Sequence, residues 1–400
     1  MNNETRKETQ VLPKDVRYVG ADGLTLPLFE NQYPVQPMGV SYNSYLILDE
    51  KVAVMDSVDA RAADEWLAKL THELNGRRPD YLVISHMEPD HSGSILRLAE
   101  KYQEMKLVGN AKTFAMLRQF FGASAPANER LVEVGEGGTI SLGTHTLHFM
   151  LAPMVHWPEV MVAYEETEKI LFSADAFGRF GALSRTANAP WEPQARRYYY
   201  NIVGKYGAQV QALLKKASAL ELTAICPLHG PVLTGETLAE ALRLYDLWSR
   251  WQSEAPEEIL LAHASIHGNT ARAAEYLKEK LEAKGARVTL CDLTTAEVSY
   301  AVASAFYCGK LVLACSTYDG GLFPPMEEFL THLQAKGFRG RSIGLMENGS
   351  WAPAAARLMR ARLEEMKDLR VCGTVVSLRS ALGPVNEVQM DALITELCAE

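Results

Sequence analysis

Between residues 85 and 94 the chain reads SHMEPDHSGS, which places two imidazoles and two carboxylates, His86, Glu88, Asp90 and His91, within six consecutive positions. Nitrogen and carboxylate donors at that density are the side chains that hold metal ions. Three more residues of these types stand farther along, each just past an apolar run: His156 in LAPMVHWPE, Asp175 in LFSAD and His229 in CPLHG. Loops beyond the C-terminal ends of strands are where sheet proteins collect their chemistry, so all seven could face one rim. Four histidines and three carboxylates suffice for two metal ions, each with two imidazoles and a carboxylate, leaving one carboxylate to bridge. His72, His145, His148 and His332 lack such company and read as ordinary residues.

Positioning these side chains requires a framework, and the sequence has two grammars. From about residue 40 to 240, strands with tight turns mix with helices. SYLILDEKVAVMDS and GTISLGTHTLHFMLAP read as hairpins, whereas YLVIS, KILFSAD and LTAICP read as buried strands. ARAADEWLAKLTHELN and GAQVQALLKKASAL carry helical periodicity. Such a mixture predicts an α+β, layered-sheet domain. The polar stretch RWQSEAPEEI (250–259) marks the boundary, giving domains at 1–253 and 254–400. Beyond it strands and helices alternate: ILLAHAS, NTARAAEYLKEKLEAKG, ARVTLCDL, KLVLACS, PPMEEFLTHLQAKG, RSIGLME and PAAARLMRARLEEM. That alternation predicts a doubly wound α/β domain with a parallel sheet.

Three loops of the second domain follow predicted strands. The first holds Ser265, Ile266, His267, Gly268, Asn269 and Thr270 and opens directly into a helix. Hydroxyls and backbone N–H groups at a helix N-terminus hold phosphate without a lysine. The second holds Ser316, Thr317, Tyr318, Asp319 and Gly320, and the third Glu347, Asn348, Gly349, Ser350 and Trp351. Small residues with one aromatic each suit the edges and faces of a planar isoalloxazine ring. No G-x-x-x-x-G-K-[ST] or G-x-G-x-x-G occurs, which disfavours a nucleoside triphosphate or a Rossmann dinucleotide.

Composition bounds the rest. With 400 residues, 48% apolar and 22% charged, the chain has the balance of a folded protein of two or three domains. A net charge of −9 argues against nucleic acid or an anionic membrane bound through a broad basic surface. The N-terminal MNNETRKETQ has no apolar core of a secretory signal, and no run approaches the roughly 18 apolar residues of a membrane helix. The six cysteines form no C-x-x-C pair, which suits reduced thiols and a cytoplasmic location and leaves no rubredoxin-type iron site.

The order His-x-Glu-x-Asp-His, then His, Asp and His, resembles the metallo-β-lactamase-like domain of flavodiiron proteins, and the three later loops resemble a flavodoxin-like FMN site. The resemblance spans essentially the whole chain. It implies an N-terminal α+β metallo-β-lactamase-like αββα sandwich and a C-terminal α/β flavodoxin-like doubly wound parallel sheet. It further implies one iron on His86, Glu88 and His156, a second on Asp90, His91 and His229, and Asp175 as the bridge. Hydrolytic relatives usually carry a second histidine where this chain has Glu88, and the harder carboxylate moves a site from zinc towards iron or manganese. The implied activity is reduction of O2 to water and/or of NO to N2O at a non-haem diiron centre, with FMN as relay and no catalytic residue separate from the metal ligands. The implied partners are an external electron donor such as rubredoxin and a second copy of the chain, in a head-to-tail homodimer or a dimer of dimers. Two other readings compete. One is a metallo-β-lactamase-like hydrolase with an accessory flavodoxin-like domain, which zinc without flavin would favour. The other is a flavin carrier with a structural metal site, which would reduce flavin without consuming gas.

Overall fold

The computed structural model describes residues 12–399. It divides into two compact units. One takes in the chain up to Tyr199 together with Tyr206–Asp246, and the other holds Tyr200–Lys205 and the chain from Leu247 onward.

The first unit is built on two six-stranded sheets. One runs in the order Val16–Tyr18, Tyr45–Leu48, Val52–Met55, Tyr81–Val83, Lys106–Gly109 and Leu131–Glu133. Its first three strands are antiparallel to their neighbours, and from Val52–Met55 onward the pairing is parallel. The second runs Thr139–Ser141, Thr146–Leu151, Met161–Glu165, Ile170–Phe172, Ala224–Cys226 and Leu233–Thr234. In it only Ile170–Phe172 and Ala224–Cys226 pair in parallel.

Side chains alternate along a strand, so every second residue of each sheet can point at the other sheet. The sequence uses this in nearly every strand. Tyr45 and Ile47, Ala53 and Met55, Val83 and Val108 meet Leu147 and Phe149, Met161 and Ala163, Ile170 and Phe172, Ala224 and Cys226 in one buried core. The intervening Leu46, Val54, Leu82 and Leu107 are buried as well, which a sheet also covered on its outer face requires. Helices supply that cover. Ala63–Leu74 buries Trp66, Leu70 and Leu74, spaced as one stripe of a helix. The Gly207–Ala217 helix buries Val210, Leu213 and Ala217. This is the αββα sandwich.

The second unit holds a parallel sheet in the order Val288–Asp292, Ala255–Ala264, Cys308–Tyr318, Ser342–Asn348, Arg370–Leu378. Helices Asn269–Ala283, Pro324–Ala335, Ala355–Glu364 and Pro384–Cys398 link or follow these strands. Ile259 and Leu261, Val312 and Ala314, Val376 and Leu378 pack on Ala273, Leu277 and Leu281 and on Met390, Leu393 and Leu397. The strand order reverses at Ala255–Ala264, the switch point at which such sheets open a ligand crevice. All six cysteines are free, and no helix among the described residues is long and apolar enough to cross a membrane.

Candidate metal centre and flavin loops

The seven side chains singled out in the first half converge. His86 lies three residues past Tyr81–Val83, and Glu88 precedes a helical turn, Pro89–Ser92, that carries Asp90 and His91. His156 sits between Thr146–Leu151 and Met161–Glu165, Asp175 past Ile170–Phe172, and His229 past Ala224–Cys226. A backbone bond from Met161 N to Ser85 O (3.1 Å) ties the two sheets together at this rim. Positive φ angles at Asp56, Met154, Ala174 and Phe177 accompany these loops, a conformation that non-glycine residues adopt at a cost and that often marks a site held by its surroundings.

Two groups of ligand-type atoms form. Nε2 of His156 is 3.1 Å from Glu88 Oε2 and 3.0 Å from Asp175 Oδ2, and Nε2 of His86 is 3.3 and 3.5 Å from the same two oxygens. Nε2 of both His91 and His229 is 3.3 Å from Asp90 Oδ2, at 3.3 and 3.7 Å respectively from Asp175 Oδ1. Asp175 thus turns one carboxylate oxygen to each group.

Several features fit a pair of cations. Nε2 of His91 and Nε2 of His229 face each other at 3.1 Å, a separation at which two neutral acceptors repel unless something positive lies beside them. Ligand atoms about 2.1 Å from a common ion stand roughly 3.0–3.4 Å apart, close to the 3.0–3.7 Å spacings seen here. Both oxygens of Asp90 and Oδ1 of Asp175 are buried with no hydrogen-bond donor among the described residues. Two histidines are fixed from behind: Nδ1–H of His86 donates to Glu159 Oε1 (2.7 Å), and Nδ1–H of His229 donates to the carbonyl of Ser41 (2.6 Å). Each therefore presents the Nε2 lone pair inward, which is how ligating histidines are oriented.

The electrostatics agree. Burial alone pushes the Glu88 and Asp175 carboxyls up, yet the imidazoles around them hold both well below the ordinary range. Burial opposes protonation of His156, but the bonds to Asp175 and Glu88 raise it to about 9. Without a cation these groups share protons; a cation would take the protons' place.

Aromatic rings wall the centre. Phe29 and Tyr198 stand 5.3 and 5.5 Å from the ring of His229, and Trp157 meets His86 edge-on at 5.2 Å. The hydroxyl of Tyr198 is fully buried and has no hydrogen-bond partner among the described residues. Burial, then the charges of Asp175, Asp90 and Glu88, push it far above the ordinary phenol range, so it stays a protonated donor. Glu159, Ser41, Asp56 (whose Oδ1 accepts from Ser85 N at 2.7 Å) and Glu30, whose carboxyl contacts Glu88, escaped the sequence reading. Glu159 alone had a local signal, three residues past His156. The others arrive from loops that only the fold brings close.

In the second unit the three loops follow adjacent strands. Gly268, with φ of +85°, turns the first loop into the Asn269–Ala283 helix and donates its N–H to Ser265 Oγ (3.1 Å). Thr270 shares a hydroxyl bond with Ser316 (2.8 Å), which locks the first loop to the second. Asp319 and Gly320, both at positive φ, form the turn after Tyr318. Other predicted residues turn out to brace the loops. Thr317 Oγ1 accepts from Ala354 and Ala355 N–H, and Glu347 from Ala356 N–H and the Ser377 hydroxyl. Asn348 and Ser350 bond Ser380, part of a fourth loop that sequence reasoning missed. Gly349 is tight against Pro353, where a Cβ would lie 2.6 Å from Pro353 Cα. Ile266, Tyr318 and Trp351 remain exposed, Trp351 to 88%. His267 makes no hydrogen bond or ion pair among those described. Large apolar side chains left bare in loops that follow neighbouring strands suit a place where a ligand or a partner sits.

A helix-covered sandwich with this rim, followed by a doubly wound sheet with these loops at its strand ends, defines a metallo-β-lactamase-like domain joined to a flavodoxin-like one. Residues 40–230 match the family model described as "ODP family beta lactamase". The chain is 28% identical over 345 residues to the rubredoxin-oxygen oxidoreductase of Megalodesulfovibrio gigas, covering 84% of each. It is 26% identical over 362 residues to the nitric oxide reductase of Moorella thermoacetica, covering 88% of each. Its fold matches the crystal structure of the flavodiiron protein from Giardia intestinalis with a TM-score of 0.85 at 24% identity, over 96% of this chain and 94% of that one. Over nearly its whole length the chain is thus similar to flavodiiron proteins in fold and, more distantly, in sequence.

Proposed function

We propose that this chain is a flavodiiron oxidoreductase that reduces O2 to water and/or NO to N2O, with two non-haem irons in the first domain and FMN in the second. The observation that carries the reading is Asp175, whose two oxygens each face a separate cluster of two imidazoles and a carboxylate. His86, Glu88 and His156 would hold one iron, Asp90, His91 and His229 the other. The loops at 265–270, 316–320 and 347–351 would hold FMN. When bound, the iron pair and the flavin supply the stepwise electron transfers that a small gaseous oxidant needs.

The chain's own residues do the rest. Glu159 and the Ser41 carbonyl keep His86 and His229 in the tautomer whose Nε2 points inward. Phe29, Trp157 and Phe180 keep the surroundings of the centre apolar, which strengthens the charge interactions within it. Tyr198 holds a proton-bearing hydroxyl with no competing partner, available to a small ligand at the centre. Electrons would come from an external reduced protein such as rubredoxin. A head-to-tail homodimer, or a dimer of such dimers, would bring one chain's FMN to the other's irons. A cytoplasmic location fits this activity and the six free thiols.

Elemental analysis and flavin release test the reading. About two irons and one FMN per chain are expected. Stoichiometric zinc in protein made with ample iron, or a chain that takes up no flavin, would favour the hydrolase instead.

A further inference from the structure

The Asn269–Ala283 helix starts with an electrostatic mismatch. A helix N-terminus carries partial positive charge and favours acids in its first turn. This first turn has no acidic residue, and its cap, Gly268, brings no side-chain acceptor. It holds a cation instead. Arg272 lies on the outer face, its guanidinium folded back over the Gly268–Asn269 turn and donating from Nη2 to Asn269 Oδ1. A Cβ placed on Gly268 would lie 3.2 Å from Arg272 Nη1. No carboxylate among the described residues pairs with this guanidinium, although its helix carries Glu275, Glu279 and Glu282. Asn269 Oδ1 is a neutral acceptor and leaves the charge uncompensated. A full positive charge added to the positive end of a helix is unfavourable in the bare chain, and a dianion at the turn removes the penalty.

We propose that Arg272 is a phosphate-recognition residue of the flavin site, and that it makes this chain discriminate for the phosphorylated flavin. The inference rests on the FMN reading above and deepens it. The phosphate sits at the turn, against the open N–H groups of Asn269 and Thr270 and the Ser265 hydroxyl. Arg272 contributes a charge-assisted bond from the side, with Asn269 holding the guanidinium in place. Arg272 lies over the Gly268–Asn269 turn, so its effect is expected on a phosphate held there.

Titration of flavin-depleted full-length protein with FMN and with riboflavin, followed by quenching of flavin fluorescence, separates these terms. Position 272 is exposed and helical, where Gln and Lys have propensities close to that of Arg, so R272Q and R272K retain the fold. R272Q is expected to weaken FMN about tenfold, the worth of one exposed charge-assisted bond, and to leave riboflavin within about twofold. R272K is expected to recover part of the loss. Wild-type affinity for FMN should also fall more steeply with salt than that of R272Q, because the variant lacks the screened charge. An R272Q protein that binds FMN as tightly as wild type, or that loses FMN and riboflavin equally, overturns the proposal. A wild-type chain that binds neither flavin overturns the FMN reading itself and the proposal with it, a result that the variants cannot mimic.

Discussion

Asp175 has two neighbourhoods and one carboxylate, and the side chains around it divide accordingly. Asp175→Ala removes the shared ligand from both clusters, so metal content should fall to less than half of wild type while FMN stays bound in its own domain. Glu88→His replaces a hard oxygen by a nitrogen and should shift occupancy towards zinc. Metal analysis of purified proteins grown with both metals checks both outcomes, and full iron in the Glu88→His protein would show that the carboxylate does not govern metal choice. Tyr198→Phe deletes only a hydroxyl that has no hydrogen-bond partner among the described residues. It should leave metal and flavin content unchanged and slow gas reduction by about tenfold or more, in the range for loss of one positioned proton donor. Stopped-flow rates on metal-matched protein would reveal it. The seven metal-type residues that the fold brings together were legible in the sequence because four crowd six positions and each of the other three follows an apolar run. Glu30 and Tyr198 were not assignable, since a lone Glu after Phe29 or a Tyr in ARRYYYN acquires meaning only when the fold sets it beside Glu88 or His229.

The loops depend on elements that leave them little freedom. His229 is followed by Gly230, at φ of +82°, whose N–H donates to Ser41 Oγ and whose carbonyl accepts from Asn43 Nδ2, each at 2.7 Å. A Cβ at position 230 would lie 2.7 Å from Arg179 Cγ. Arg179 has little room to yield, since it is buried and bonds the carbonyls of Thr186, Ala189 and Pro190. Gly230→Ala should therefore cost about 2–3 kcal/mol in unfolding free energy, from backbone strain plus overpacking. It should also lower metal occupancy, measurable by denaturant titration alongside metal analysis. At this scale the sequence was readable where patterns were strong. The hairpins at 45–55 and 139–151 and the helices at 63–74 and 207–217 follow from period-2 and period-3.6 apolar spacing. Short strands such as Val16–Tyr18 gave no such pattern, because three residues are too few to display a period. In the second unit the three loops do follow neighbouring strands, yet the work of Glu347 and Thr317 as braces was hidden. A buried carboxylate that caps a helix and one that faces a ligand look alike in sequence.

On the proposed reading, a metal centre in one domain and a flavin site in the other would make sense together as a route for electrons to a small oxidant. Neither site has that use alone: a hydrolase needs no flavin, and a flavodoxin needs no metal. The alternation of strands and helices after residue 254 and the hairpin-rich grammar before it made the two architectures legible from sequence. The strip at 200–205, which groups with the second unit, was not, because the short π and 3-10 turns it forms between two helices leave no apolar period to read. The most direct test of the whole account is a single-turnover experiment on chemically reduced, anaerobic, iron-loaded holoprotein mixed with O2 or with NO. The account predicts that flavin reoxidation and disappearance of at least one gas proceed together, and that the Asp175→Ala protein, flavin intact, consumes neither gas at a comparable rate. Wild-type protein with full iron and flavin that leaves both gases untouched, or that consumes them no faster than the Asp175→Ala protein, would contradict it.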